Sequence, residues 1–346
     1  NFPSFDTQQE IYDEIFNLLD GAIAKLEVPD TSVFELGSED LIYGGNVEKW
    51  LRAAYSLKAR YQLHLVNKGL VAPAEVLASV ENGFTSNEDN FAMYYSDRNI
   101  NPWYSEEVLA RETGNLSKDI ASQLVSCMNG DYYPFESGAL EIDPRLPLFA
   151  QNGDADEYKG YVSGGEGEAP DGTDANTGFR TDGFYTSVDS PLILISYAEV
   201  LFIKAEAEFL ANGGNETSTG STTEAYTAYM DGVAASMEMY DVDGTDYMAD
   251  GVVDVGEGAL MLHHIMKEKY IHNFLNPETF VDYRRYDFSD QVFTGLEIRK
   301  EADGVDSEFA GQWFRRAIYP TTELNRNEAN VLANQKEPVV PVWWDE

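Results

Sequence analysis

The stretch PLILISYAEVLFIKAEAEFLAN, residues 191–212, decides the fold class of this chain. Helical order runs through it, and Gly213-Gly214 closes it as a C-cap. Ala198, Ala205 and Ala207 leave room for a partner helix to approach closely, while Tyr197, Leu201, Phe202 and Phe209 supply bulk. The pattern predicts one helix across the whole stretch.

Helical signals recur outward from it. Thr7-Gln-Gln-Glu10 is a capping box, in which hydroxyl and carboxylate satisfy orphan amides reciprocally. Ile11, Ile15, Leu18, Leu19, Ala22, Ile23 and Leu26 then repeat at helical spacing up to Pro29. A second pattern runs from Asn46 to Asn67 through Val47, Trp50, Leu51, Ala54, Leu57, Tyr61 and Leu65, with Gly69 as its stop. Pro73 opens a short helix expected to reach Gly83, and another is expected from about Ser117 to Met128, stopped by Asn129-Gly130. Ser221-Thr-Thr-Glu224 reads as a second capping box, for a helix through Tyr240, and a further helix is expected from about Ala259 to Asn276, ended by Pro277. Strand signals are short: Ala317–Tyr319 and Val339–Trp343. Paired helices joined by short turns predict an all-α fold of tetratricopeptide-type hairpins, although no strict 34-residue period is found.

Two regions break the periodicity. In residues 84–104 aromatics alternate with Asn, Ser and Asp, and residues 131–190 hold Asn152-Gly153, Gly164-Gly165, Asp171-Gly172 and Asp182-Gly183. Irregular stretches of this length inside a domain are more often functional than idle.

The chain has 346 residues, with 23 Lys plus Arg against 61 Asp plus Glu, a formal net charge of −38. Such a charge repels the phosphate backbone and excludes nucleic acid and anionic membrane surfaces as direct partners. Hydrophobic residues at 43% and aromatics at 13% require a folded core. The length fits two ordinary domains or one large unit. The single cysteine, Cys127, excludes an intrachain disulfide and a thiolate zinc cluster. There is no apolar run of about 18 residues, and NFPSFDTQQE at the start has neither basic nor apolar leader character.

Catalytic and cofactor signatures are missing. The glycines of residues 164–178 lack the Lys-Ser/Thr and helix of a phosphate loop, and there is no G-x-S-x-G. His263, His264 and His272 share an expected helix without the i, i+4 spacing that metal ligation needs, and read as packed or surface residues. Asp241-Val-Asp243-Gly-Thr245 begins like a calcium loop, but Asp246 and Val252 stand where Gly and Glu are required. The cluster Asn152, Asp154 and Asp156 reads likewise as a solvated turn, so no metal and no cofactor is assigned. Among 61 acids, any two can be chosen as a glycosidase pair, so the signal for hydrolysis is lost; Glu199, Glu206 and Glu208 on the central helix are ordinary helix formers.

The loop aromatics are more specific. Tyr94, Tyr95, Trp103 and Tyr104 occupy the first irregular region; Tyr158, Tyr161, Phe179, Phe184 and Tyr185 occupy the second. Flat rings with polar edges suit sugars, and Asn101, Asn176 and Arg180 are placed to bond hydroxyl groups. The competing reading is that these rings pin long loops onto the helical core.

Several segments carry a family resemblance. NVEKWLRAAYSLKARYQLHL, residues 46–65, resembles the Trp-containing helix of SusD/RagB-type outer-membrane lipoproteins, including Lys58–Tyr61. IDPRLPLF, residues 142–149, is similar to their Asp-Pro-Arg segment, and the central helix carries their Tyr197-Ala198-Glu199 and Lys204-Ala205-Glu206-Ala207. Downstream, KEKYIHNFLNPETFVDYRRYDF, with Arg284 and Arg285, and YPTTELNRNEAN, with Tyr319, Pro320, Glu323, Asn327 and Asn330, complete the set in family order.

The resemblance implies a SusD-like fold spanning residues 1–346 as a single domain, with the ligand-site loops at 84–104 and 131–190. It implies a non-catalytic protein on the extracellular face of the outer membrane of a Bacteroidetes-type bacterium. There it would bind a nutrient glycan and deliver it to a SusC-like TonB-dependent transporter. Family members are commonly longer at the N-terminus, so the chain is expected to lack that part and the lipid-anchored cysteine with it; Cys127, on an internal helix, is not that anchor. An all-helical glycoside hydrolase and a purely protein-binding helical scaffold are the alternatives.

Overall fold

The computed structural model describes residues 2–29, 31, 36–114, 118–153, 156–163, 167–298 and 308–346. Its helices are α1 Gln8–Leu26, α2 Val47–His64, α3 Pro73–Val80, α4 Ala110–Glu112, α5 Ser122–Met128, α6 Leu146–Phe149, α7 Tyr197–Ala211, α8 Thr223–Met239, α9 Thr245–Met248, α10 Leu262–His272, α11 Glu278–Arg285 and α12 Thr321–Asn334. Among the described residues the only sheets are two short antiparallel pairs, β1 (Phe91–Met93) with β4 (Leu192–Ile195) and β2 (Ala150–Gln151) with β3 (Gly178–Phe179). The fold is therefore helix-rich, with hairpins α1–α2 and α7–α8 as its frame.

Helix α7 is the hub, packing against α8, α3, α10 and α2. Ala198, Ala205 and Ala207 are fully buried, as their small size requires at such crowded contacts. At the α7–α8 crossing a Cβ on Gly232 would stand 2.7 Å from the buried Phe202 ring, so glycine is what lets the helices meet there. Burial of a ring like Phe202 contributes roughly 1.5–3 kcal/mol.

Local signals mostly act as expected. The Thr7–Glu10 capping box forms, with Thr7 N donating to Glu10 Oε2 at 2.8 Å and Glu10 N to Thr7 Oγ1 at 3.2 Å. Asn46 caps α2 and Ser196 caps α7. The cap of α8 is Thr222, accepting from Ala225 N, one residue later than the expected Ser221 box.

Five sequence expectations are corrected. The helix expected from residue 191 starts at Tyr197, because Leu192–Ile195 pairs with Phe91–Met93 instead. A short apolar run does not separate strand from helix by itself, and a pairing partner 100 residues away decides it. The helix expected from Ser117 begins at Ser122, and Ser117 itself lies outside the described residues. The one expected to reach Gly83 ends at Val80. The helix expected over residues 259–276 is only Leu262–His272, since Asn273–Asn276 leave helical geometry ahead of Pro277. Neither 317–319 nor 339–343 pairs as a strand; the second run ends in a single 3-10 turn, Trp343–Asp345. Helices α11 and α12 were not anticipated as separate elements.

Buried charge ties the frame together. Arg60 forks onto Glu199 at 2.7 and 2.6 Å; Arg285 forks onto Glu206 at 2.8 and 3.0 Å, with Lys269 and Asp282 alongside. Arg145, fully enclosed, binds both carboxylate oxygens of Asp143 and one of Glu268. The helix glutamates Glu199 and Glu206 are thus structural ion-pair members. No helix among the described residues is long and apolar enough to cross a membrane.

Candidate functional site

The irregular regions meet the end of α10 at a groove. Asn101, fully buried, organises the first wall: its Nδ2 donates to Ser190 O at 2.8 Å, and its Oδ1 accepts from Trp103 N at 2.6 Å and Tyr104 N at 3.1 Å. This turn aims Trp103 and leads into a π-helix, Tyr104–Leu109, a geometry frequent at functional sites. Strand β3 brings up Phe179, whose ring lies 6.3 Å from that of Trp103 at 15°. The stack continues from Phe179 to Phe274 at 5.7 Å and from Phe274 to Phe149 at 4.8 Å.

The second wall is the unwound segment after α10, which also supplies Phe274 to the aromatic stack. Asn276 N donates to Asn273 O at 2.9 Å, and Leu275 sits at φ 64°, the left-handed region that a branched residue adopts only under strain. Non-glycine strain of this kind clusters at ligand sites. Between the walls lies a groove of about 280 Å³, with Trp103, Phe179, Leu124 and Ile120 as apolar lining and Lys118, Asp119, Asn276 and Thr279 as polar lining. A smaller cavity of about 20 Å³ adjoins it, sharing Trp103 and residues 273–276 and bounded further by Tyr185, Ser196 and His272.

Electrostatics at the rim are balanced. Lys118 Nζ stands 5.7 Å from the centre of the Trp103 ring and pairs with Glu107 at 2.9 Å and Glu106 at 3.2 Å. The hydrogen bond to Glu107 holds its ammonium above the usual lysine range, so the groove keeps a cation at its edge. Under the small cavity, His272 is held down at about 3 by burial and the Arg145 charge, and is neutral. Its Nε2 meets Ser196 Oγ at 2.6 Å and its Nδ1 meets Ser236 Oγ at 3.0 Å, locking α7, α8 and α10 together below the site.

Of the residues singled out from sequence, Trp103 lines both spaces and Tyr185 lines the smaller one, its hydroxyl 2.7 Å from that of Tyr240. Phe179 lines the groove, and the other loop residues proposed as ligand contacts line neither. Tyr94 is 63% exposed after β1, with Tyr95 half-buried beside it. Tyr104 is half-buried on the π-helix. Tyr161 holds its loop to α5 through its backbone, accepting from Ser122 N at 2.8 Å. Tyr158 packs on the core under that loop; Asn176 Oδ1 accepts from Lys159 N; Arg180 donates to Pro147 O and pairs with Asp182; Phe184 sets its ring edge against Tyr240. Sequence reasoning missed Lys118, Asn273, Phe274, Leu275, Asn276 and Thr279. The Asn-rich run before Pro277 was the available signal that the helix ends early.

Among the described residues no group of three or more His, Cys, Asp or Glu is arranged to hold a metal. Asp243 Oδ1 caps its own turn through Thr245 N, and Asp154 lies outside the described residues. His263 and His264 are in ring contact, and His264 Nδ1 accepts from Met261 N to cap α10.

Comparison with solved structures gives close likeness in fold. A SusD homologue from Bacteroides uniformis is 25% identical with a TM-score of 0.72, covering 100% of this chain and 74% of its own. A SusD/RagB family protein from Bacteroides thetaiotaomicron is 23% identical with a TM-score of 0.69, covering 99% and 74%. A chitin-binding SusD homologue from Flavobacterium johnsoniae is 22% identical with a TM-score of 0.69, covering 99% and 73%. No curated protein matches. The family model described as starch-binding and associating with the outer membrane matches residues 1–320, and the chain belongs to this SusD-like family of outer-membrane carbohydrate-binding proteins.

Proposed function

We propose that this protein binds a nutrient glycan at the extracellular face of the outer membrane, in the groove beside Trp103, and hands it to a SusC-like TonB-dependent transporter. The observation that carries the reading is the groove itself: a run of aromatic rings, Trp103, Phe179 and Phe274, meeting a strained, Asn-bearing segment. Sugar rings lay C–H faces on aromatics and offer hydroxyls to amides and charged edges. In this reading residues 1–346 act as one SusD-like unit.

The reading is non-catalytic. Glycoside hydrolysis takes two carboxyl groups about the scissile bond, and Asp119 is the sole carboxylate lining the groove among the described residues. Glu199, Glu206 and Glu268 are enclosed in ion pairs and line neither space.

Binding is tested by calorimetry against a panel of starch, chitin, cellulose and xylan oligosaccharides. Replacing Trp103 with Ala removes an aromatic contact worth roughly 1.5–3 kcal/mol, a loss of about 10- to 100-fold in affinity. A verified ligand that binds Trp103→Ala as well as the parent removes the groove from the account. Co-purification of the transporter from native membranes tests the partner, and release of reducing ends would favour the hydrolase reading.

A further inference from the structure

Glu107 is a buried carboxylate that lines neither space yet holds a residue that lines the groove. It sits on the π-helix that follows Trp103 and gives both oxygens to Lys118: Oε2 accepts from Lys118 N at 3.1 Å and Oε1 from Lys118 Nζ at 2.9 Å. Arg111, on α4 just beyond the π-helix, donates from Nη2 to Lys118 O at 3.2 Å. The main chain of Lys118 is thus held at both its amide and its carbonyl by the helical segment that begins at Trp103. Lys118 opens the run Lys118–Ala121 that lines the groove, and its neighbour Asp119 bridges to Gly178, next to Phe179. Burying a carboxylate is costly, and an apolar side chain of similar size fills such a space as well or better. Packing alone therefore gives no reason for Glu107, whereas aiming an exposed lysine at the groove does.

Resting on the glycan reading above, we infer that Glu107 is a positioning residue: by holding Lys118 at both nitrogens it keeps the ammonium against the Trp103 ring, where a remaining N–H donates to an oxygen of an uncharged sugar. An ammonium carries three donors, of which Glu107 and Glu106 take one each, and the third is left for the ligand. At 5.7 Å from the ring centre Lys118 Nζ is within the reach of cation–π attraction, so the donor stands beside the face that takes a sugar ring. Three carboxylates, Glu106, Glu107 and Asp119, stand against the charges of Lys118 and Arg111, which makes the ammonium a hydrogen-bond donor and not a trap for anions. A lysine on its flexible stem does not hold such a place unaided; without Glu107 it turns to the exposed Glu106 or to water. Glutamine in place of Glu107 keeps the size, but its amide oxygen accepts from one Lys118 nitrogen and its NH2 repels the other.

The test is a double-mutant cycle in the intact chain, with Glu107→Gln, Lys118→Met and the two combined. Calorimetry uses the tightest-binding oligosaccharide of the starch, chitin, cellulose and xylan panel. Lys118→Met is expected to lose about 10-fold in affinity, the worth of one hydrogen bond to a charged group. Glu107→Gln is expected to lose about 3- to 10-fold by itself but less than about twofold in the Lys118→Met background, because a residue that acts through another has nothing left to position there. A fluorescence arm needs no ligand. Trp103 emission, taken as the difference between each protein and its Trp103→Phe counterpart, is expected to shift in Glu107→Gln and in Lys118→Met, and no further when the two are combined. A loss of equal size in both backgrounds shows a packing role and overturns the proposal, as does parent-like binding or unshifted emission in a folded Glu107→Gln. If Glu107→Gln does not fold, Lys118→Met decides, and an affinity within about twofold of the parent overturns the assignment. Failure of the parent to bind any glycan in the panel is the different result that removes the functional reading itself, and the emission arm then rules on the positioning alone.

Discussion

Arg145 is the most demanding site for a stability test. Its guanidinium is fully buried and donates to Asp143 Oδ1 at 3.0 Å, Asp143 Oδ2 at 2.6 Å, Glu268 Oε2 at 2.8 Å, Ser236 Oγ at 3.1 Å and the Tyr247 hydroxyl at 3.2 Å. Through these bonds the loop before α6 is clamped to α8, α9 and α10, the last of which ends at the groove. Arg145→Met keeps most of the apolar volume and removes the charge. Glu268 retains Lys267 at 2.9 Å, whereas Asp143 loses its paired cation inside the protein. Breaking a buried pair from one side costs about 3–5 kcal/mol. At about 2.1 cal/mol/K per residue, unfolding 346 residues carries about 0.7 kcal/mol/K, so the melting midpoint is expected to fall by about 4–7 °C. Differential scanning calorimetry reads this directly. Adding Asp143→Leu to Arg145→Met removes the orphaned carboxylate and is expected to restore part of the loss. Arg180→Met is the control: that residue is half-exposed and its partner Asp182 is exposed, so the change is worth at most about 0.5 kcal/mol, under about 1 °C. An Arg145→Met midpoint within 1 °C of the parent would refute the reasoning that an uncompensated buried charge dominates here.

Two further expectations concern pH. Burial pushes the carboxyls of Glu206, Glu268 and Glu278 up, but the groups beside them more than reverse it: the Arg285 and Lys269 charges for Glu206, the Lys267 and Arg145 charges for Glu268, and the His64 contact and Arg60 charge for Glu278, which is held at about 2. A depressed carboxyl stabilises the fold above its unfolded value near 4.5, so stability is expected to drain as pH falls from about 4.5 toward 2; a denaturant midpoint unchanged across that window would contradict it. Asp345 behaves oppositely: burial lifts it to about 6 against the attraction of Arg315 and Arg284, and among the described residues neither carboxylate oxygen is hydrogen-bonded. The folded state then holds this proton more tightly than the unfolded one, so its contribution is lost as pH rises from about 4 to 6. Asp345→Asn is expected to gain on the parent across that interval, and a constant difference between the two would sink the assignment.

The sequence by itself determined the helical frame, the family and the principal anchor points. Capping chemistry at Thr7 and Asn46, 3.6-residue spacing in α1 and α2, and the alanines of α7 are local rules, and local rules survive into the tertiary structure because each acts within a turn or two. Trp103 was legible because a ring set among polar loop residues is conspicuous in one dimension. The groove was not. Its second wall, Asn273–Asn276, reads as continuous helix by periodicity, and only the close of α10 ahead of Pro277, with Leu275 forced into the left-handed region, turns those side chains toward Trp103. Likewise Leu192–Ile195 is a strand only because Phe91–Met93 arrives beside it, and Asn101, equally suited by composition to a sugar hydroxyl, is spent instead on Ser190 and on aiming Trp103. Pairing between segments about 100 residues apart, and the allocation of each polar side chain to protein or to ligand, are decided by the assembled molecule, since neither leaves a periodic trace in the chain.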